Sequence, residues 1–261
     1  MKKLGFTLAE VLIALAIIGV VAAMTLPNLV NEHQKDVWAN SLSVNVSDIE
    51  RTFSYLQMQE GVDNMFETSM WTKRSDYGGR VDEILKDVYK LETKGNSLIQ
   101  YYNPNKYPIK SVNPTVPLPQ NNAIRLSIDG WVYENKKGAS ILLKFYRKTD
   151  QAAKAGYTDA PLTKNEVIAL GGQLTSMAAE MIIDVNGRDK KPNTIGRDIF
   201  YFVIGDDGKL FPYGGKDVMI YKNRAKPHKT HCPDNLRTVY DSLDGFSCTG
   251  RLVENGYKMD Y

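Results

Sequence analysis

Histidine and cysteine are scarce in this chain, with three of the first and two of the second in 261 residues. A catalytic triad has few bases to draw on, and neither a four-cysteine zinc site nor a multi-disulfide scaffold can be built. There is no glycine-rich phosphate loop, no His-Glu-x-x-His pair and no Gly-x-Ser-x-Gly elbow. Charge of one sign is also missing. Thirty-three basic and thirty acidic side chains leave +3, too little to argue for a polyanionic partner on net charge. No segment repeats. What is present is a hydrophobic fraction of 43%, enough for one good core, with eleven prolines, twenty glycines and fifteen tyrosines. That composition suits a loop-rich, strand-containing domain better than a helical bundle.

The N-terminus carries one long apolar run. Phe6 to Leu26 reads FTLAEVLIALAIIGVVAAMTL, and Val11 to Met24 contains no polar side chain. As a helix these residues span ~31 Å, the thickness of a bilayer core. Lys2 and Lys3 precede the run, so the positive-inside rule expects a cytoplasmic N-terminus and an exported remainder. Glu10 sits inside the apolar segment, where an unpaired carboxylate costs on the order of 2.5 to 3.5 kcal/mol at the bilayer centre and less toward its edge. A charge tolerated there needs a partner. Cleavage after Gly5 would supply one, because the new α-amino group of Phe6 lies about one helical turn from Glu10, on the same or a neighbouring helix. Gly5, without a side chain, gives a protease ready backbone access. Val21-Ala22-Ala23 would serve as a conventional signal-peptidase site. Glu10 argues against that reading and against a plain unprocessed anchor, since neither gives the carboxylate a role.

The run KKLGFTLAEVLIALAIIGVVAAMTLP resembles the class III signal of type IV prepilins and type II secretion pseudopilins. The resemblance implies a prepilin peptidase that cuts after Gly5 and N-methylates Phe6, with Glu10 as the assembly carboxylate. Pro27 stands where family members commonly carry a helix-weakening, kink-forming proline. Loss of Met1 to Gly5 removes two lysines and leaves 31 basic against 30 acidic side chains. The implied partners are the peptidase, other pilin or pseudopilin subunits, the inner-membrane assembly platform and the membrane itself. The implied location is the cytoplasmic membrane in a single pass, then a filament at the periplasm or cell surface. A minor, low-copy subunit is expected, because a large irregular domain hinders uniform packing.

Four regions follow: a leader at 1–5, a membrane or filament-core helix at 6–26, an amphipathic continuation at 27–60, and an exported domain at 61–261. Trp38, Leu42, Val46, Ile49, Phe53 and Leu56 recur at steps of three and four, which predicts one helix running to about Gly61 with a buried stripe. Val81, Ile84, Leu85, Val88 and Leu91 predict a short helix, and the proline-rich stretch from Asn103 to Gln120 a long loop. Strands are predicted at Ala123–Tyr133, Ala139–Arg147, Glu180–Val185, Ile199–Ile204 and Lys209–Tyr213. Thr163 with Glu166 forms a capping-box pattern opening a helix predicted to run toward Ala179, interrupted at Gly171-Gly172. The fold class is therefore α+β, a long N-terminal helix packed on an antiparallel sheet as in pilins.

Three clusters in the exported domain invite a chemical reading. Asp184, Asn186, Asp189 and Asp198 gather oxygen ligands at a spacing a hard cation such as calcium would accept, although Ile195 stands where an EF-hand has its bidentate Glu. An Asx-rich turn between strands explains the same residues more simply. No cofactor is required. Cys232 and Cys248, with fifteen residues between them, would form a disulfide worth about 3 kcal/mol in an oxidising compartment. That reading is preferred over zinc held by both cysteines with His228 and His231, which lacks a standard spacing. Many pilins likewise staple a C-terminal loop. Lys222, Arg224, Lys226 and Lys229 form a basic segment that could grip a nucleic-acid backbone, as in a DNA-uptake pilin, against the simpler reading of a solvated face balanced by Asp234, Asp241 and Asp244. The competing class is a membrane-tethered exported hydrolase using Asp184 and Asp198, for which no motif speaks.

Overall fold

The structure is a computed structural model that describes residues 7–72, 85, 92–97, 102, 106–113, 115, 129–145, 163–221, 232–234, 236 and 244–261. The chain forms two compact units, Met1–Val37 and Trp38–Tyr261, and helix α1 (Leu8–Glu60) contributes to both. Gly5 and Phe6 lie outside the described residues, as do Lys222, Arg224, Lys226, Lys229, His228 and His231. Of the predicted helix at 81–91, only Leu85 is described, in helical conformation and buried.

In the first unit α1 is a bare apolar rod. Leu8, Leu12, Ile13, Leu15, Ile18 and Met24 are each more than half exposed, and the most apolar 18-residue window has a mean hydropathy of 2.4 with none of it buried. The helix is continuous across Pro27. Thr25 donates its hydroxyl to the Val21 carbonyl, a local bond typical of an apolar helix with few other polar options.

In the second unit α1 becomes amphipathic. Trp38, Leu42, Val46, Ile49, Phe53 and Leu56 are all buried, which is the predicted stripe. Asn45 and Thr52 on the same face satisfy their polar atoms on the backbone one turn earlier, at Ser41 and Asp48. The helix stops at Gly61, whose φ of 67° is the left-handed conformation that ends helices.

The stripe packs on a six-stranded antiparallel meander in the order β1 (Glu92–Ser97), β2 (Asp129–Glu134), β3 (Ser140–Phe145), β4 (Met177–Asp184), β5 (Ile199–Gly205) and β6 (Leu210–Pro212). Alternation sorts the strand residues. Tyr133, Ile141, Leu143, Met181, Ile183, Phe200 and Phe202 join the core with α1, while Val132, Leu142, Ile182, Ile199 and Tyr201 face the other side and form a second cluster with Tyr102, Ile195 and Phe246. β4 and β5 are therefore buried on both faces, without an exposed residue.

That double burial corrects one expectation. The helix opened by Thr163 is α3 (Lys164–Ala169), following the single turn α2 (Ser69–Thr72), and its capping box is present as predicted. It does not run toward Ala179. Gly171, at φ 73°, terminates it, and Gly172 packs so closely that a Cβ would lie 2.9 Å from Val167 Cγ1. Met177-Ala178-Ala179 then belong to β4. Their helix-favouring, unalternating composition reflects burial on both sides of a central strand.

Two short helices, α4 (Lys216–Tyr221) and α5 (Cys248–Glu254), complete the described α-helices, and single 3-10 turns lie at Met65–Glu67 and Asp244–Ser247. The described residues 106–113 contain no strand beyond a single bridge from Lys110 to Thr194, as a loop reading expects.

Phe53→Ala is expected to destabilise the second unit by roughly 3–5 kcal/mol, and Met58→Ala on the exposed face by less than about 0.5 kcal/mol. Urea unfolding in mild detergent, followed by tryptophan circular dichroism, measures both. Equal effects would mean that the stripe is not the packed face.

Candidate functional site

Glu10 is held by its own chain. Its Oε2 accepts from the Thr7 backbone N–H at 2.8 Å and from the Thr7 hydroxyl at 2.9 Å. The Thr7 Oγ1 in turn accepts from the Glu10 N–H at 3.2 Å. This is a capping box, with Thr7 as N-cap and Glu10 at the third helical position. It satisfies donors that the first turn of a helix otherwise leaves open, at the end where the macrodipole favours a carboxylate. The pattern Thr-x-x-Glu was legible in the sequence at this point and was missed, although the same pattern was read correctly at Thr163. Apart from Thr7, Glu10 has no partner among the described residues.

The acidic loop between β4 and β5 is assembled in part as the sequence suggested. Asp184 and Asp198 are fully buried and Asn186 lies beside them, but Asp189 is exposed and does not join. Asp184 Oδ1 accepts from the N–H groups of Asn186 at 3.3 Å and Gly187 at 2.8 Å, and its Oδ2 from the Tyr102 hydroxyl at 2.5 Å. Asp198 accepts from the N–H groups of Asn193 at 2.8 Å and Thr194 at 2.6 Å. The Asn186 Nδ2 donates to the Lys191 carbonyl at 3.3 Å. These bonds fold the loop as Asx turns do. Gly187 fits only as glycine, because its φ is 76° and a Cβ would lie 2.3 Å from the Gly138 carbonyl oxygen. Burial, and for Asp184 the neighbouring Asp198, raises the two carboxyl groups to about 7 and about 6. The loop thus favours a proton on one of its two acids near neutrality. Tyr102, the partner of Asp184, gave no signal in the sequence, standing 82 residues away.

Cys232 and Cys248 form the disulfide, with Cα atoms 5.0 Å apart and both residues buried. Arg251 reinforces it. Its guanidinium donates to the Cys232 carbonyl, to Asp234 at 2.7 Å and to Asp260 at 2.8 Å, and lies 5.4 Å from the Tyr261 ring centroid. Tyr261 then donates its hydroxyl to the Gly196 carbonyl at 2.8 Å, so the C-terminal segment is tied to the acidic loop.

Residues 1–26 match the prokaryotic N-terminal methylation motif, the class III signal of type IV pilins and pseudopilins. No curated protein and no solved structure matches the chain.

The raised carboxyl groups give a signed pH dependence. A folded-state value above the unfolded 3.8 means that the contribution of Asp184 to stability is complete below 3.8 and is lost as pH rises through about 7. Asp260, held low by Arg251, acts in the opposite sense and only at acidic pH. The thermal midpoint is therefore expected to fall by several degrees from about pH 5 to about pH 8, and Asp184→Asn to flatten that slope. Calorimetry at the two pH values tests it. An unchanged slope in the variant would contradict the assignment.

Proposed function

We propose that the chain is a structural subunit, cut after Gly5 and methylated at Phe6 by a prepilin peptidase, then assembled into a filament through its N-terminal helix. The observation that carries this reading is the methylation motif joined to a helix whose apolar surface is wholly exposed and interrupted by one carboxylate. A pilin-like precursor of this kind is a building block, and the motif points away from an enzyme.

The mechanism follows from two solvents of similar polarity. In the membrane, Val11 to Met24 face lipid, and in the filament they face other copies of the same helix. Extraction from one to the other keeps them from water throughout. Glu10 gives the transfer its register. Its capping bonds to Thr7 keep it tolerable in the monomer, and a neighbour's methylated amino terminus neutralises it on assembly. A single buried charge pair per contact aligns helices that otherwise present only smooth apolar surface.

The large second unit, with loops on both ends of its sheet, supports a minor rather than a major subunit. Calcium enters this reading only as a ligand proposed for the acidic loop, where Asp184, Asp198 and the buried, unpartnered Oδ1 of Asn186 would hold it. The loop closes on its own hydrogen bonds, and no step of assembly passes through an ion.

Glu10→Ala is expected to leave membrane insertion and the amount of the subunit unchanged while lowering its recovery in sheared filaments by at least about tenfold, since one partner of a buried pair is removed. Immunoblots of the membrane and filament fractions read both quantities. Recovery at the unsubstituted level would remove the charge-pairing mechanism.

A further inference from the structure

Outside the features already used, the strongest charged surface lies at one end of the sheet. The β2–β3 turn carries Lys136 and Lys137, and the β4–β5 loop carries Arg188, Lys190 and Lys191. The two loops touch, since a Cβ on Gly187 would overlap the Gly138 carbonyl and the Lys190 ammonium lies 3.9 Å from the Cβ position of Gly138. Lys106 joins them through Tyr107, whose ring lies 5.0 Å from the Lys106 ammonium and 4.9 Å from the Arg188 guanidinium. Lys136, Lys137, Lys190 and Lys191 are exposed, and none makes an ion pair among the described residues. Asp189 is the acid within the cluster, and Asp48 lines the adjoining cleft. That cleft, about 120 Å³ in volume, is bounded by Asn45, Asn135, Lys136, Lys137 and Ile141 as well.

The position of this end within the second unit decides between partners. It is fixed against the first turns of α1 that enter the unit, by the Ser41 hydroxyl donating to the Val185 carbonyl and by Asn135 Nδ2 donating to Asn45 Oδ1 at 2.8 Å. The opposite end of the sheet is acidic. There Asp206 and Asp207 in the β5–β6 turn meet Asp63 and Asn64 beyond the far end of α1. Leu26, the last residue of the apolar run, precedes Ser41 by fifteen positions. In a helix that is at most ~23 Å of path. A lysine cluster tethered this closely behind a membrane-embedded segment meets lipid headgroups at high local concentration, whereas nucleic acid must be captured from solution.

We propose that the lysine end of the sheet, formed by Lys136 and Lys137 together with Arg188, Lys190 and Lys191, is a docking surface for anionic phospholipid headgroups that holds the second unit against the bilayer before assembly. The proposal rests on the membrane-anchored reading of the N-terminal helix. Extraction into a filament then requires this surface to let go, so acidic lipid content becomes a control on assembly. Each cation near an anionic surface biases binding by roughly fivefold, and the bias fades as salt shortens the screening length.

The test uses the full chain reconstituted into vesicles of phosphatidylcholine alone, or with about 30% phosphatidylglycerol. Acetylation by a soluble reagent, read by mass spectrometry, reports each lysine, with Lys164 and Lys258 as references elsewhere on the unit. Labelling of Lys136, Lys137, Lys190 and Lys191 relative to the references should fall at least about fivefold in the anionic vesicles and recover at ~0.5 M salt. Equal labelling in the two vesicle types would overturn the proposal. Protection in neutral vesicles that rises with protein density would assign the surface to a second copy, and equal protection by added duplex DNA would assign it to nucleic acid, each against a lipid. A chain that floats with neither vesicle type would refute the membrane anchor itself, which flotation reports separately from labelling.

Discussion

An apolar helical surface that water cannot cover favourably governs this molecule. From Val11 to Leu26 the helix offers side chains on every side, and nothing in its own compact unit buries them. Only lipid or other apolar helices can do so. Glu10 is the one charge at the start of that run. Its bonds to Thr7 turn a costly carboxylate into a helix cap, and leave it able to accept one cation more.

The second unit answers a different demand. Once α1 narrows to a single buried stripe at Trp38, it needs one apolar face opposite, and the meander supplies it through alternate residues of β2 to β5. The strands' other face is closed by a second cluster, while the C-terminal segment, fastened down by the disulfide and Arg251, joins the same core as α1. The Asp184–Asp198 loop, the Tyr261 hydroxyl and the Cys232–Cys248 link meet around Gly196.

How much of this was legible depended on how many neighbours a residue needs to declare its role. The stripe from Trp38 to Leu56 announced itself by period alone, because a helix on a sheet repeats every three or four residues. The disulfide was legible from two lone cysteines. Met177-Ala178-Ala179 were not, because a strand buried on both faces has no alternation to show. Thr163 was read as a cap and Thr7 was not. At Thr7 the apolar run that follows drew attention to Glu10 as a misplaced charge, and the same carboxylate could be explained locally. The acidic loop was read as a set of oxygen donors. Its folding bonds come from backbone N–H groups and from Tyr102, which no spacing rule brings together.

The claim on which the account stands is that this chain is a substrate of a prepilin peptidase. The most direct measurement is the intact mass of the chain, expressed with and without that peptidase in the same membrane. Loss of Met1 to Gly5 and gain of one methyl group on Phe6 are expected only when the peptidase is present. A chain cut after Ala23, or left whole in both cases, would contradict it and leave an exported or tethered domain with no route into a filament.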